Sequence, residues 1–291
     1  MRTRRPMLSA VIPGLSSLAA RGQAGKIVII GLVIVLSIVI MTIISPWITP
    51  YDPAAINVGP VSSPPSKKFP LGTNHLGQDM LSRVISGGGV MLQVALLSAT
   101  FCLVVGVPIG LIASYVGGIV DRTVSLIMDS FYAFPGLVLA IAIAAMLGRG
   151  AVNMALSIAV VYVPSYFRVV RSQVLTIREL PYAEAARAIG ARDRTTILRY
   201  ILPNLFASIV VVLTVNFADA ILTAAGLTFV GLGVEKSIPD WGWDLTDGRG
   251  LLFSGAWWVI TFPGIMIVLL ALGFTLIGEG LNELLNPRLE Q

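Results

Sequence analysis

One cysteine, one histidine and a charged fraction of only 12% in 291 residues exclude much chemistry at the outset. Cys102 has no second thiol, so an internal disulfide is impossible. Inside an apolar run it reads as a small buried hydrophobe. His75 has no His or Cys at metal-ligand spacing and reads as a solvated loop residue, so no metal site is expected. A phosphate cradle is missing too. Gly25–Lys26 is the only Gly-Lys pair, and Ala20 stands where a Walker pattern needs its first glycine. No long apolar run contains a histidine or lysine. A membrane hydrolase would therefore have only carboxylates to serve as its base. The net charge of +5 is no nucleic-acid footprint, because the basic residues lie at the ends and in the loops of apolar segments.

What is present is hydrocarbon. The chain is 56% hydrophobic with a mean hydropathy of +0.87, whereas soluble domains carry about 25% charged residues. Apolar runs at residues 27–48, 91–116, 124–147, 154–170, 205–233 and 256–278 predict an all-α integral membrane protein with six transmembrane helices. A run of 22 residues at about 1.5 Å each spans ~30 Å of hydrocarbon. The first run reads as an uncleaved anchor, being too long and too far along the chain for a signal peptide. Fourteen of the 20 Lys and Arg residues fall on one side of the six-span layout and 6 on the other. The richer side takes Arg2, Arg4, Arg5, Arg21, Lys26 and Arg288. By the positive-inside rule it is the cytoplasm, so both termini are expected there, in a multi-pass protein of the cell membrane.

The expected organisation follows: a cytoplasmic segment over 1–26, a first span over 27–48, an extracytoplasmic loop over 49–89, a five-span core over 90–280 and a cytoplasmic tail over 281–291. The loop is rich in proline, hence irregular, and ends in a short interfacial helix near Asp79–Arg83. Gly106 and Gly110 form a small-xxx-small pair suited to helix packing, and Pro108 and Pro135 can loosen their helices.

Residues 178–204, RELPYAEAARAIGARDRTTILRYILPN, interrupt the apolar blocks. Pro181 suits a first helical turn, and Tyr182, Ala185, Ala186 and Ile189 recur at i, i+3, i+4 and i+7. Gly190 can take the left-handed conformation of a helix stop. Asp193 can cap a second short helix, and Pro203 ends or kinks it. The segment is either a solvated loop or a docking surface, with Glu184 and Arg187 beside the stripe.

Two carboxylates fall within the spans. A charge at the bilayer centre costs about 2.5–3.5 kcal/mol on insertion scales, so Asp129 and Asp219 are expected to face the bundle interior or water. Asp219 could line a pathway, pair with Asn216 or stay protonated. In the last outward loop, Asp240, Trp241 and Asp244 are candidates for contact with an outside partner, the alternative being that the acids are simply solvated, and the tryptophans also suit a membrane interface. The chain reads as a passive pathway subunit with a cytoplasmic handle. A proton-coupled secondary carrier resting on Asp129 and Asp219 is the rival, and a membrane enzyme a third reading.

Glu184-Ala185-Ala186, Gly190 and Ile201-Leu202-Pro203 resemble the EAA loop of permease subunits of ABC importers. Leu71-Gly72-Thr73, Gly77, Asp79 and Ser82-Arg83 are similar to the LGTD…GRD…SR segment of the C-type permease of dipeptide, oligopeptide and nickel importers. Asp129 with Ala133-Phe134-Pro135, then Leu227 to Gly233 with Trp241-Gly242, and Gly278 to Leu289 resemble further motifs of that family. Gln78, Gly88-Gly89, Ala224 and Asn282 depart from its usual Arg, Ala-Arg, Glu and Arg or Lys.

The resemblance implies a type I ABC importer permease architecture whose substrate is a di- or oligopeptide, with an oligosaccharide or nickel chelate as the alternative. It implies a second six-span permease subunit, two cytoplasmic ATPase subunits that carry ATP and Mg, and an extracytoplasmic solute-binding protein, with no cofactor on this chain and no catalysis by it. Tyr182, Glu184, Ala185, Ala186, Arg187, Ile189 and Gly190 would form the coupling helix. Asn216, Asp219 and Asp129 would line the pathway.

Overall fold

A computed structural model describes residues 22–285, with only the backbone of Arg187. The expectations that rest on Arg2, Arg4, Arg5, Arg21, Arg288 and the end of the tail lie outside the described residues. Among those described, the chain is helical, and its one β feature is an isolated antiparallel bridge between Thr73 and Asp79.

Helix α1 (Gly22–Ile48) is apolar all round, as a spanning helix must be. It packs along the last helix, α11 (Trp258–Leu285). Small residues permit the approach. A Cβ on Gly31 would lie 2.6 Å from the Gly273 carbonyl, and one on Gly280 would lie 2.5 Å from a Val28 methyl. After an irregular segment come α2 (Met80–Ser86) and, continuous with it past Gly87, α3 (Gly88–Val116). The long seam of α3 against α6 (Ala151–Ile177) is where the small-xxx-small pair sits. Cβ atoms on Gly106 and Gly110 would meet Tyr166 at 2.8 Å and the Phe167 carbonyl at 3.0 Å. Pro108 leaves α3 unbroken.

The third apolar block is not one helix. It comprises α4 (Gly118–Tyr132) and α5 (Gly136–Leu147), bent by 91°. Pro135 stands at the break with ψ of 123°, outside the helical region. It lacks an N–H and disfavours helical geometry at the residue before it. Among the described residues there are therefore 5 long apolar helices, or up to 6 spans if the bent pair crosses as one.

The polar interlude forms α7 (Pro181–Ala188) and α8 (Asp193–Thr196). A π-helical stretch, Ile197–Ile201, joins α8 to α9 (Leu202–Phe229). The second short helix is thus the lead-in to a continuous 37-residue rod, with Pro203 in the first turn of α9. Helix α10 (Trp241–Leu251) then packs on α11 and α9. A core of buried residues from α1, α3, α5, α6, α9, α10 and α11 includes Met91, Ile158, Ile221, Trp241 and Leu270.

Candidate functional site

Helix α7 lies at one end of the bundle. Its N-terminal amides bond to Leu180, whose carbonyl accepts from Ala183 and Glu184 at 2.9 and 3.1 Å. Ala183 and Ala186 are buried, 1% and 3% exposed, on the side that meets α8 and the π stretch. Ala186 therefore leaves the stripe anticipated from periodicity, because it serves the chain's own packing. Tyr182, Ala185 and Ile189 form the outward apolar line, Ile189 being 82% exposed, and Glu184 is exposed beside them. The Arg187 side chain lies outside the described residues.

Gly190 terminates α7 with φ of +81°. The Ala191 amide reaches back to the Ala186 carbonyl at 3.0 Å and Ile189 to Ala185 at 3.1 Å, a Schellman-type closure that favours glycine. Asp193 does not cap the second helix. The cap position is Arg192, which makes no side-chain cap bond, and Asp193 accepts a 2.8 Å bond from the Tyr115 hydroxyl at the end of α3. Arg178 donates to the Ser114 carbonyl at 3.0 Å. The whole turn is thus fastened at two points to the end of α3.

The three pathway candidates are not brought together. Asp129, on α4, pairs with Arg168 of α6 at 2.9 Å with both side chains more than half exposed, and Arg168 also lies 4.1 Å from the Tyr132 ring centroid. Nearby, Asp121 receives Arg171 through two 2.7 Å bonds, a fork geometry that composition gave no reason to expect. Asn216 is buried and its amide donates to the Val212 carbonyl at 2.9 Å. It makes no bond to Asp219, and its burial closes it to a passage in this conformation. Asp219 is half-buried.

At the opposite end of the bundle, Asp240, Trp241 and Asp244 are 0%, 0% and 1% exposed. Burial removes them as contacts for an outside partner in this conformation. They instead lock a cap. Asp240 caps α10 through the Gly242 amide at 2.9 Å and accepts from the Thr228 hydroxyl at 3.2 Å. Burial pushes its carboxyl up to about 6. The Trp241 indole donates to the Val84 carbonyl at 2.9 Å, and a Cβ on Gly87 would lie 2.5 Å from that ring. Asp244 accepts a 2.6 Å bond from Arg83, both side chains being nearly fully buried, and Arg83 also reaches the Pro53 carbonyl at 3.1 Å. Asp79 caps α2 and accepts from Ser82. Gln78, which stands where the resembled family usually has Arg, bridges Asn74 and the Ala54 carbonyl. The exposed residues of this end include Glu235, Lys236, Ser237, Ile238 and Phe253.

Comparison with known proteins matches residues 106–291 to the binding-protein-dependent transport system inner membrane component. Residues 25–65 match the N-terminal transmembrane domain of oligopeptide transport permease C. A dipeptide transport system permease protein of Alkalihalophilus pseudofirmus is 40% identical over 92% of this chain and 88% of its own. A di/tripeptide transport system permease protein of Pseudomonas aeruginosa is 38% identical over 89% and 88%, and a probable D,D-dipeptide transport system permease protein of Escherichia coli is 36% identical over 88% and 86%. Among solved structures, the inward-facing MetNI methionine ABC transporter aligns with a TM-score of 0.55 at 21% identity, covering 71% of this chain and 98% of that one.

Proposed function

Because the chain belongs to the family of binding-protein-dependent transport system inner membrane components, and is a permease subunit of an ABC importer, we propose that its cargo is di- and oligopeptides. Relatives of 36–40% identity are named for the transport of dipeptides and di/tripeptides. In this reading the chain forms half of a translocation pathway with a second six-span permease. Two ATPase subunits that bind ATP and Mg sit on the cytoplasmic side, and a solute-binding protein delivers cargo outside. The excess of Lys and Arg supports a reading with the α7 end and both termini in the cytoplasm, 1–26 and 281–291 there, 49–89 outside and 90–280 as the permease core.

The single observation that carries the coupling role is α7 itself. A short helix fastened to α3 presents Tyr182, Ala185 and Ile189 outward with Glu184 beside them. An exposed amphipathic helix of this size fits a groove on a partner, Glu184 and Arg187 offering charge-assisted hydrogen bonds. Movement of the ATPases would then be transmitted through Arg178–Ser114 and Tyr115–Asp193 to α3, and through α8 to α9. Coupling requires that ATP bind the two conformations with different free energy.

The test is co-purification and uptake. Ile189→Asp with Glu184→Ala is expected to release the ATPases and abolish ATP-driven peptide uptake while the chain still inserts. Retention of both would sink the coupling role. Uptake that persists without ATP and collapses with an uncoupler would support the secondary-carrier reading instead.

A further inference from the structure

A cavity of about 590 Å³ opens between α6, α9 and α11 toward the α7 end of the bundle. Its polar lining is neutral: Ser172 and Gln173 from α6, Asn204 and Ser208 from α9, and Asn282 from α11. Ligand pockets commonly hold 300–1,000 Å³, so the volume suits a short peptide. Among the described residues, the side chains of Gln173, Ser208 and Asn282 make no hydrogen bond to protein. Asn204 spends only one of its two side-chain N–H groups, on the Tyr200 carbonyl at 2.6 Å, and keeps its side-chain carbonyl open. Polar groups on spanning helices turn to a bundle interior or a wet passage, not to lipid.

The register of α9 extends this lining. Residues 204, 208, 211, 215 and 219 recur at intervals of three or four and so fall on one helix face. Asp219 therefore stands one turn above Val215, at the end of the cavity away from α7. Its carboxylate has no ion-pair or hydrogen-bond partner among the described residues.

Resting on the peptide reading above, we infer that this cavity is a transit site for peptide. The amides of Gln173, Asn204 and Asn282 engage the peptide backbone, and Asp219 meets its ammonium end. The chemistry fits a carrier of many sequences. A primary amide offers one acceptor and two donors, matching the C=O and N–H of any peptide bond. A lining without charge, apart from the terminal carboxylate, neither selects nor repels the charged side chains of the cargo. Valine walls at 169, 211, 212 and 215 exclude water without adding side-chain recognition.

The experiment uses the assembled transporter in proteoliposomes, with a radiolabelled dipeptide presented by the cognate binding protein. Gln173→Leu combined with Asn282→Leu keeps the bulk and removes two amides. It is expected to lower uptake on the order of tenfold, since each lost hydrogen bond is worth a factor of several. The amide-preserving pair Gln173→Asn with Asn282→Gln is expected to recover most of it. Asp219→Asn should reduce uptake and Asp219→Glu retain it. A photoreactive benzoylphenylalanine at Val211 should cross-link the peptide, whereas the same group at Phe206, on the opposite face of α9 and 47% exposed, should not. Wild-type-level uptake by the leucine pair, with equal labelling from Val211 and Phe206, overturns the transit site while leaving peptide import intact. Absence of dipeptide uptake by the unaltered complex, whose ATPase is active, overturns the peptide reading and the site together.

Discussion

Arg83 shows how much can hang on one side chain. It joins α2 to α10 through Asp244 and to the irregular segment through Pro53. Arg83→Ala would strand a buried carboxylate, and breaking such a pair by removing one partner costs about 3–5 kcal/mol. Thermal unfolding of the detergent-solubilised complex should show the loss, and Arg83→Lys should recover only part of it, since a single ammonium cannot hold both partners in the guanidinium geometry. Gly190 is the second such residue. At φ of +81° with open space around its Cα, the obstacle to substitution is backbone conformation, not crowding. Gly190→Val should therefore destabilise the turn by roughly 1–2 kcal/mol and depress ATP-coupled uptake more than membrane insertion. Equal uptake in the valine variant would show that the left-handed turn is dispensable.

The elements were legible in the sequence wherever one physical constraint acted alone. Hydrocarbon thickness fixed the long helices, and Gly106 with Gly110 marked a real seam. The third block misled because apolarity does not register direction. Residues 124–147 look like one run, and only Pro135, at the α4–α5 break, carried the information that they turn through 91°. Ala186 misled for a related reason, since periodicity names a face but not what covers it. Asp240, Trp241 and Asp244 looked like surface groups because loops usually are surface. Their burial depends on Arg83 and Val84, some 160 residues away, which no local pattern reveals. The α10 cap carries a pH signature. Its Asp240 carboxyl rises from 3.8 to about 6, so the folded state binds more protons than the unfolded one between those values. Stability contributed by protonation is present below about 4 and is lost as pH rises through about 6. Asp240→Asn should flatten the dependence of melting temperature on pH across that window. A slope equal to that of the unaltered protein would show that Asp240 does not titrate there.

At the scale of the whole molecule, the proposed orientation has a direct test. Cys102 is 1% exposed, so the native chain presents little reactive thiol and single introduced cysteines report their side cleanly. A membrane-impermeant maleimide should label Ser237→Cys in intact cells and Ile189→Cys only in inverted vesicles from cells lacking the ATPase subunits. The reverse pattern would overturn the assignment of α7 to the cytoplasm.

The seam of α1 with α11 has a consequence for how the molecule is made. The glycines at 31, 273 and 280 commit the first spanning helix to the last as a close neighbour. During synthesis, the groove around Gly31 therefore stays open in the bilayer until the final helix arrives. Synthesis of α11 and closure of this seam become one event. A ribosome that stops before α11 releases a product whose first helix has lost its main seam, a defect that a membrane quality-control protease could read.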